Sequence, residues 1–225
     1  MISFERVYKR YPNGREALTD VSFSLASGEM AFLTGHSGAG KSTILRLVAL
    51  IDRPTRGQVT VNNANTNTVR RRRVPAFRRD VGVVFQDHKL LNDRPVLDNV
   101  GLPLVIAGMT RREIDKRVRA ALDQVGLLGK EQLLPQELST GEQQRVGIAR
   151  AVVSKPPVLI ADEPTGNLDP DLAREVMRLF RRFNEVGVTI LIATHDFHLV
   201  DEFRVRRIVL EGGRLTSDSS GVSHG

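Results

Sequence analysis

Gly35-His36-Ser37-Gly38-Ala39-Gly40-Lys41-Ser42-Thr43 fits the pattern G-x-x-x-x-G-K-[ST]. An apolar run, Met30 to Leu33, precedes it, and a helix-like run, Ile44 to Ile51, follows it. The glycines let a loop wrap closely, so that successive backbone N–H groups point at a polyphosphate. A helix starting near Lys41 adds the positive end of its dipole at the same place. In that frame the Lys41 ammonium reaches the β- and γ-phosphates, and the Ser42 hydroxyl coordinates Mg²⁺. A chance glycine-rich turn would not bring both flanks with it. The stretch predicts a nucleotide phosphate site at a strand-to-helix junction.

The rest of the chain sets bounds on that site. With 225 residues and 40% hydrophobic content, it can bury a core as one large domain or two small lobes. No stretch approaches the roughly 20 apolar residues of a membrane span. The most apolar candidate, Val96 to Met109, is interrupted by Asp98, Asn99 and Pro103. Met1-Ile2-Ser3-Phe4-Glu5-Arg6 lacks the basic-then-apolar layout of a signal peptide, so a cytoplasmic location is expected. The absence of cysteine excludes disulfides and thiolate metal sites. A net charge of +7 permits an anionic neighbour. Aromatic residues are only 5%, with no Trp, which argues against a base-stacking platform, and nucleic acid is not expected as a partner.

Outward from the loop, Ile2 to Tyr8 and Val21 to Leu25 alternate apolar with polar residues, as an antiparallel sheet with one wet face requires. Tyr11-Pro12-Asn13-Gly14 between them is a turn, where Tyr11 either packs or stacks on a ring. Gly57 to Val61 is another strand, and Asn62 to Thr68 a polar loop. The block Arg70-Arg71-Arg72-Arg73, with Arg78 and Arg79, reads as a solvated connector or as a contact for acidic groups. Val81 to Phe85 is a buried strand that ends at Gln86. Residues 96 to 138 are mostly helical, with a capping box at Thr110–Glu113 and a stop at Gly126.

Four more strand or loop exits carry polar groups. Leu138-Ser139-Thr140-Gly141-Glu142 opens a helix, either as an ordinary S-x-x-E cap or as a second anion site. Pro157 to Ala161 is apolar without alternation, hence buried on both faces of a parallel sheet, and it exits into Asp162-Glu163. Adjacent acids there are costly unless they serve a metal or a water; an Asp can hold a Mg²⁺ shell, and a Glu can orient or deprotonate an attacking water. Asp169-Pro170 starts a helix whose core stripe is Val176, Leu179, Phe180 and Phe183. Val188 to Ala193 is a third buried strand, delivering Thr194-His195-Asp196. In a parallel sheet such exits converge on one edge, which places His195 beside Gly35 and Asp162–Glu163.

In this order the pieces resemble the nucleotide-binding subunit of an ABC ATPase, over residues 1 to 216. The resemblance implies an α/β P-loop NTPase fold of the ABC ATPase type. Its core sheet is mostly parallel, with an antiparallel β part at about 1–30 and 57–61 and a helical subdomain at about 96–138. A disordered tail is expected at 217–225. The resemblance also implies roles. Tyr11 stacks on adenine, and Gly35, His36, Ser37, Gly38, Ala39, Gly40, Lys41, Ser42 and Thr43 form the Walker A loop. Gln86 is the Q-loop glutamine, in contact with Mg²⁺ or water, and Asp162 is the Walker B aspartate beside the catalytic Glu163. Ser139, Thr140, Gly141 and Glu142 lie in the signature, Asp169 in the D-loop, and His195 is the switch histidine. Thr140 stands where the family usually has a glycine, so its Cβ is expected to restrict the backbone.

Two copies are then expected to face head to tail, each clamping ATP between one Lys41 loop and the other's Ser139 segment. Met30 to Thr43 (with His36 inside the loop), Phe85 to His88, Asp98 to Val100 and Gly141 to Val153 resemble the cell-division branch of the family. That branch implies peripheral association with the cytoplasmic face of the inner membrane through an FtsX-like integral membrane protein. Lipoprotein-release and macrolide-efflux ATPases are the alternative. A chromosome-maintenance ATPase would insert a coiled coil between Gly35 and Ser139, which here are 104 positions apart.

Overall fold

The computed structural model describes residues 1–219. Five strands form the core of a six-stranded sheet: β3 (Met30–Thr34), β6 (Val81–Val84), β7 (Val158–Asp162), β8 (Thr189–Thr194) and β9 (Arg206–Glu211). The order is β10-β9-β3-β8-β7-β6, and every pair is parallel except that of β9 with the edge strand β10 (Arg214–Ser219). A second sheet is antiparallel, with the order β2-β1-β4-β5, from β1 (Ile2–Arg10), β2 (Glu16–Leu25), β4 (Arg56–Val61) and the short β5 (Ala64–Asn65).

The period of two along the buried strands divides the interior. Met30 and Phe32 of β3, Leu159 and Ala161 of β7, and Ile190 and Ile192 of β8 face one core. Ala31 and Leu33, Val158 and Ile160, and Leu191 and Ala193 face the other. The first core is closed by α3 (Val96–Ile106), α4 (Arg111–Gln124), α5 (Thr140–Val152) and α6 (Pro170–Glu185), and the second by α1 (Lys41–Val48) and the antiparallel sheet. All six residues of β8 are buried, as a central strand without alternation requires.

Local signals set the element ends. Thr110 and Glu113 form the expected capping box of α4, and Asp169 caps α6 ahead of Pro170. Gly126 and Gly187 adopt positive φ after α4 and α6. The basic block is not a plain connector: Arg71–Arg73 form a 3-10 turn that leads into α2 (Val74–Arg79), anchored by the buried Phe77. Ser217, Asp218 and Ser219 belong to β10 rather than to a disordered tail. They pair with Val209, Ile208 and Arg207, and Arg206 holds Asp218 through both carboxylate oxygens at 2.8 and 2.7 Å. The rest of the expected tail, 220–225, lies outside the described residues.

One polar residue inside α3 has a structural role. The Asn99 side chain is fully buried. Its Oδ1 accepts from Leu91 N at 2.7 Å, and its Nδ2 donates to the carbonyls of Leu91, Arg94 and Pro95 at 2.9–3.2 Å. It therefore fixes the loop that joins the strand β6 region to the helical part. Asn99→Ala leaves the Leu91 groups unpaired and should lower stability by about 2–3 kcal/mol, or roughly 5–10 °C in Tm. An unchanged melting curve by differential scanning calorimetry would refute that role.

Candidate functional site

The exits of β3, β7 and β8 lie side by side because the register puts Thr34 opposite Thr194 and Asp162 opposite Ala193. They open on a cleft of about 850 Å³ lined by Tyr11, Arg15, Gly35 to Thr43, Arg46, Gln86, Asp162, Glu163, His195 and Phe197. The loop backbone needs its glycines at two points. Gly35 has φ 146°, and a Cβ there would come within 2.2 Å of the Leu210 carbonyl oxygen. Gly40, at φ 111°, starts α1, and a Cβ would meet the Ala17 oxygen at 2.8 Å. Lys41, only 7% exposed, donates from Nζ to Gly35 O at 2.7 Å and His36 O at 3.3 Å.

The carboxylates meet the loop directly. Ser42 Oγ donates to Asp162 Oδ1 at 3.3 Å, and Lys41 Nζ lies 3.6 Å from Glu163 Oε1. His195 Nδ1 is 2.7 Å from Glu163 Oε2, which also accepts from His195 N at 3.3 Å. Glu163 has φ 48°, a left-handed backbone uncommon for a branched-free but bulky side chain, and it turns the carboxylate out of the sheet toward Lys41 and His195. Burial raises the Asp162 pKa, and the neighbouring Glu163 charge raises it further, against the opposing Ser42 bond and Lys41 charge. The donor set at this edge is hydroxyl, carboxylate and amide oxygen, which suits a hard cation such as Mg²⁺. Among the described residues no three or more His, Cys, Asp or Glu side chains form a closed metal cluster, and Mg²⁺ commonly relies on one or two carboxylates plus substrate phosphates.

Tyr11 sits at the mouth, and its hydroxyl is tied to Asp52 Oδ2 at 3.2 Å and lies 3.4 Å from Thr43 Oγ1. Lys9 Nζ is 5.0 Å from the ring centroid, so the ring both packs against its turn and lines the cleft. Arg15, Arg46 and Phe197 line the cleft as well, although the sequence reading did not single them out. Arg46 has a periodicity signal, since it lies one turn beyond Ser42 on α1 and pairs with Asp52 at 2.7 Å. Arg15 lies in the turn between β1 and β2, and Phe197 opens the short helix Phe197–Phe203; neither carries such a signal.

Ser139, Thr140, Gly141, Glu142 and Asp169 do not line this cleft. Ser139 and Glu142 form a reciprocal cap at 3.0 and 3.3 Å, and Glu142 also pairs with Lys130. Asp169 accepts from Asp171 N and Leu172 N. Gly141 lets α5 approach α6, since a Cβ there would be 3.0 Å from Leu172 Cδ1. Thr140 is the first helical residue of α5, exposed and absent from the residues with positive φ. The expected backbone restriction at Thr140 is therefore not found, because a helical φ suits any L-residue.

A Gly-rich loop entering a helix, a buried lysine and adjacent acids at the next strand exit define a P-loop nucleoside triphosphatase. The profile of the ABC transporter family matches residues 18–166, and the chain belongs to that family as an ATPase cassette. The cell division ATP-binding protein FtsE of Escherichia coli K12 is 54% identical over 224 residues, covering 100% of both chains. FtsE of Mycobacterium tuberculosis H37Rv is 48% identical over 97% of this chain and 95% of its own. Among solved structures, the dimeric ABC transporter cassette MJ0796 superposes with a TM-score of 0.90 at 36% identity over 100% of both chains. Its post-hydrolysis dimer with ADP and Pi gives 0.90 at 35%.

The raised Asp162 pKa has a thermodynamic consequence. The folded chain binds this proton more tightly than the unfolded chain, so its contribution to stability is complete below the ordinary carboxylate pKa and is lost as pH rises through the folded value. At pH 7, in nucleotide-free buffer with chelator, Asp162→Asn should therefore raise Tm by about 1–4 °C, and the gain should shrink toward pH 4. A lower Tm for the variant at both pH values would contradict the assignment.

Proposed function

We propose that the chain works as a head-to-tail homodimer that binds and hydrolyses ATP between its two copies and drives an FtsX-type integral membrane protein of cell division. The observation that carries the dimer is the division of the motif residues. The cleft holds the phosphate loop, Gln86, Asp162, Glu163 and His195, while Ser139, Thr140 and Asp169 are exposed outside it on the same chain. A second copy can bring them to the cleft, and by symmetry each copy does so for the other.

In the proposed reaction the loop N–H groups and Lys41 bind the phosphates, and Tyr11 flanks the base. Ser42, Asp162 and Gln86 would hold Mg²⁺, which when bound neutralises charge on the β- and γ-phosphates. Glu163 orients the attacking water and takes its proton as the water oxygen bonds to the γ-phosphorus and the bond to the β-phosphate oxygen breaks. The 2.7 Å contact with His195 fixes the direction of the Glu163 carboxylate. Closure on ATP and reopening after product release supply motion to the partner.

Support for the cell-division role is the full-length similarity to FtsE proteins of several bacteria. No helix among the described residues is long and apolar enough to cross a membrane. The partner's expected task is to pass this motion across the membrane to peptidoglycan hydrolases. By family resemblance its contact lies near Gln86 to Asn99.

Glu163→Gln should retain ATP binding, lose at least about 100-fold in kcat and accumulate as a dimer with saturating MgATP, read by light scattering. A variant that stays monomeric under those conditions, even with the membrane partner present, overturns the dimer mechanism. Tagged Glu163→Gln purified from native membranes should bring down a small four-span protein and cell-wall hydrolase regulators. A permease with a large periplasmic domain would keep the chemistry and replace the biology.

A further inference from the structure

The segment after Gln86 is held in a conformation that the reaction above does not explain. His88 and Lys89 are consecutive non-glycine residues with φ of 56° and 49°. Each such residue costs about 1 kcal/mol or more unless its surroundings enforce it. The enforcing group comes from α5. Arg150 Nη1 donates to Lys89 O at 2.7 Å, and Nη2 donates to His88 O. One planar guanidinium thus bridges two successive carbonyls, each through its own nitrogen in a fixed fork that a lysine at this position would not reproduce.

Arg150 is otherwise without compensation. It forms no ion pair among the described residues, and burial lowers its pKa. The two carbonyls are therefore what offsets the desolvation of its charge. The His88 ring lies beside Gln144, also of α5 and almost fully buried; His88 Nδ1 and Gln144 Nε2 have no hydrogen-bond partner, so this second contact with the helix is packing alone. The helix itself is seated firmly on the strand that leads to this segment. Gly82 of β6 touches it so closely that a Cβ would lie 2.5 Å from Ala151 O.

These contacts connect two places the reaction needs to coordinate. β6 delivers Gln86 to the cleft, and α5 begins at the Ser139–Glu142 cap, outside it. We propose that Arg150 is a positioning residue, clamping the loop that carries Gln86 to α5, so that displacement of α5 as its N-terminus closes on a second copy is delivered to Gln86. The proposal rests on the reading of Gln86 as a participant in hydrolysis. Arg150 does not line the cleft, so it acts through Gln86 and not on nucleotide directly.

The test is a double-mutant cycle on the full chain. Arg150→Lys keeps the positive charge and loses the two-nitrogen fork. It should lower kcat about tenfold, leave the Kd for MgATP within about twofold, and speed amide exchange at residues 87–91. In a Gln86→Ala background the same substitution should cost nothing further, a non-additivity that a merely structural role would not produce. His88→Ala, on the loop and not in the helix, should repeat the pattern at smaller size, and it keeps the test decisive if Arg150→Lys does not fold. Losses of equal size in both backgrounds, or an unchanged kcat, overturn the clamp. If Gln86→Ala is slow while Arg150→Lys and His88→Ala are not, only the clamp fails. If Gln86→Ala itself leaves kcat intact, the reading of Gln86 fails and takes the proposal with it.

Discussion

The parallel register of β7 against β8 is the constraint on which the site depends. Asp162 pairs with Ala193, and Glu163 N still donates to Ala193 O at 2.9 Å, so the ladder runs to the last residue before the acids diverge. A slip of one residue would exchange the two cores, since Leu159 and Val158 face opposite sides. The same slip would carry Glu163 away from His195, which β8 supplies. Burial of both strands on both faces makes that slip prohibitively costly, and catalytic geometry is thereby set by hydrophobic packing well below the cleft.

The cleft itself is arranged against stability. Asp162 is held partly buried beside a second carboxylate, and Glu163 adopts a left-handed backbone. Lys41 and His195 compensate from opposite sides, one at each Glu163 oxygen. Local rules of propensity and charge are thus broken at the residues proposed to handle phosphate and water, and obeyed in the strands beneath them. That distribution is what a functional site imposes on an otherwise consistent fold.

Much of this was legible in the sequence because the signals were local. The phosphate loop and its flanks, the unalternating runs of β7 and β8, and the caps at Thr110, Ser139 and Asp169 each lie within a few residues. What escaped depends on partners far along the chain. Asn99 interrupts an apolar run, yet its meaning lies in four backbone groups of the preceding loop. The strand at Ser217–Ser219 looks like tail until Arg206 is seen to grip Asp218. Arg150 reads as a solvent-facing residue of an amphipathic helix, and its carbonyl partners are 61 and 62 positions away. In the basic block, the run of arginines masked Phe77, the buried side chain with which α2 docks on the core.

Thr140 shows where a motif argument has to change its terms. A glycine is expected at that position, and the simplest reason would be a backbone that only glycine adopts. The structure removes that reason, since Thr140 is the first helical residue behind the Ser139 cap. Gly141 is the position with a steric reason to lack a Cβ, set by Leu172 of α6 at 3.0 Å. The two neighbours are therefore constrained from different directions. Gly141 answers to the packing of α5 on α6 within one chain, and it keeps the Ser139 and Asp169 segments together as one surface. Thr140 points away from that contact into solvent, so any demand for a small residue there must come from what approaches in a second copy. In the proposed dimer that is the γ-phosphate side of the other chain's cleft, where a hydroxyl can donate a hydrogen bond as readily as its methyl group can crowd.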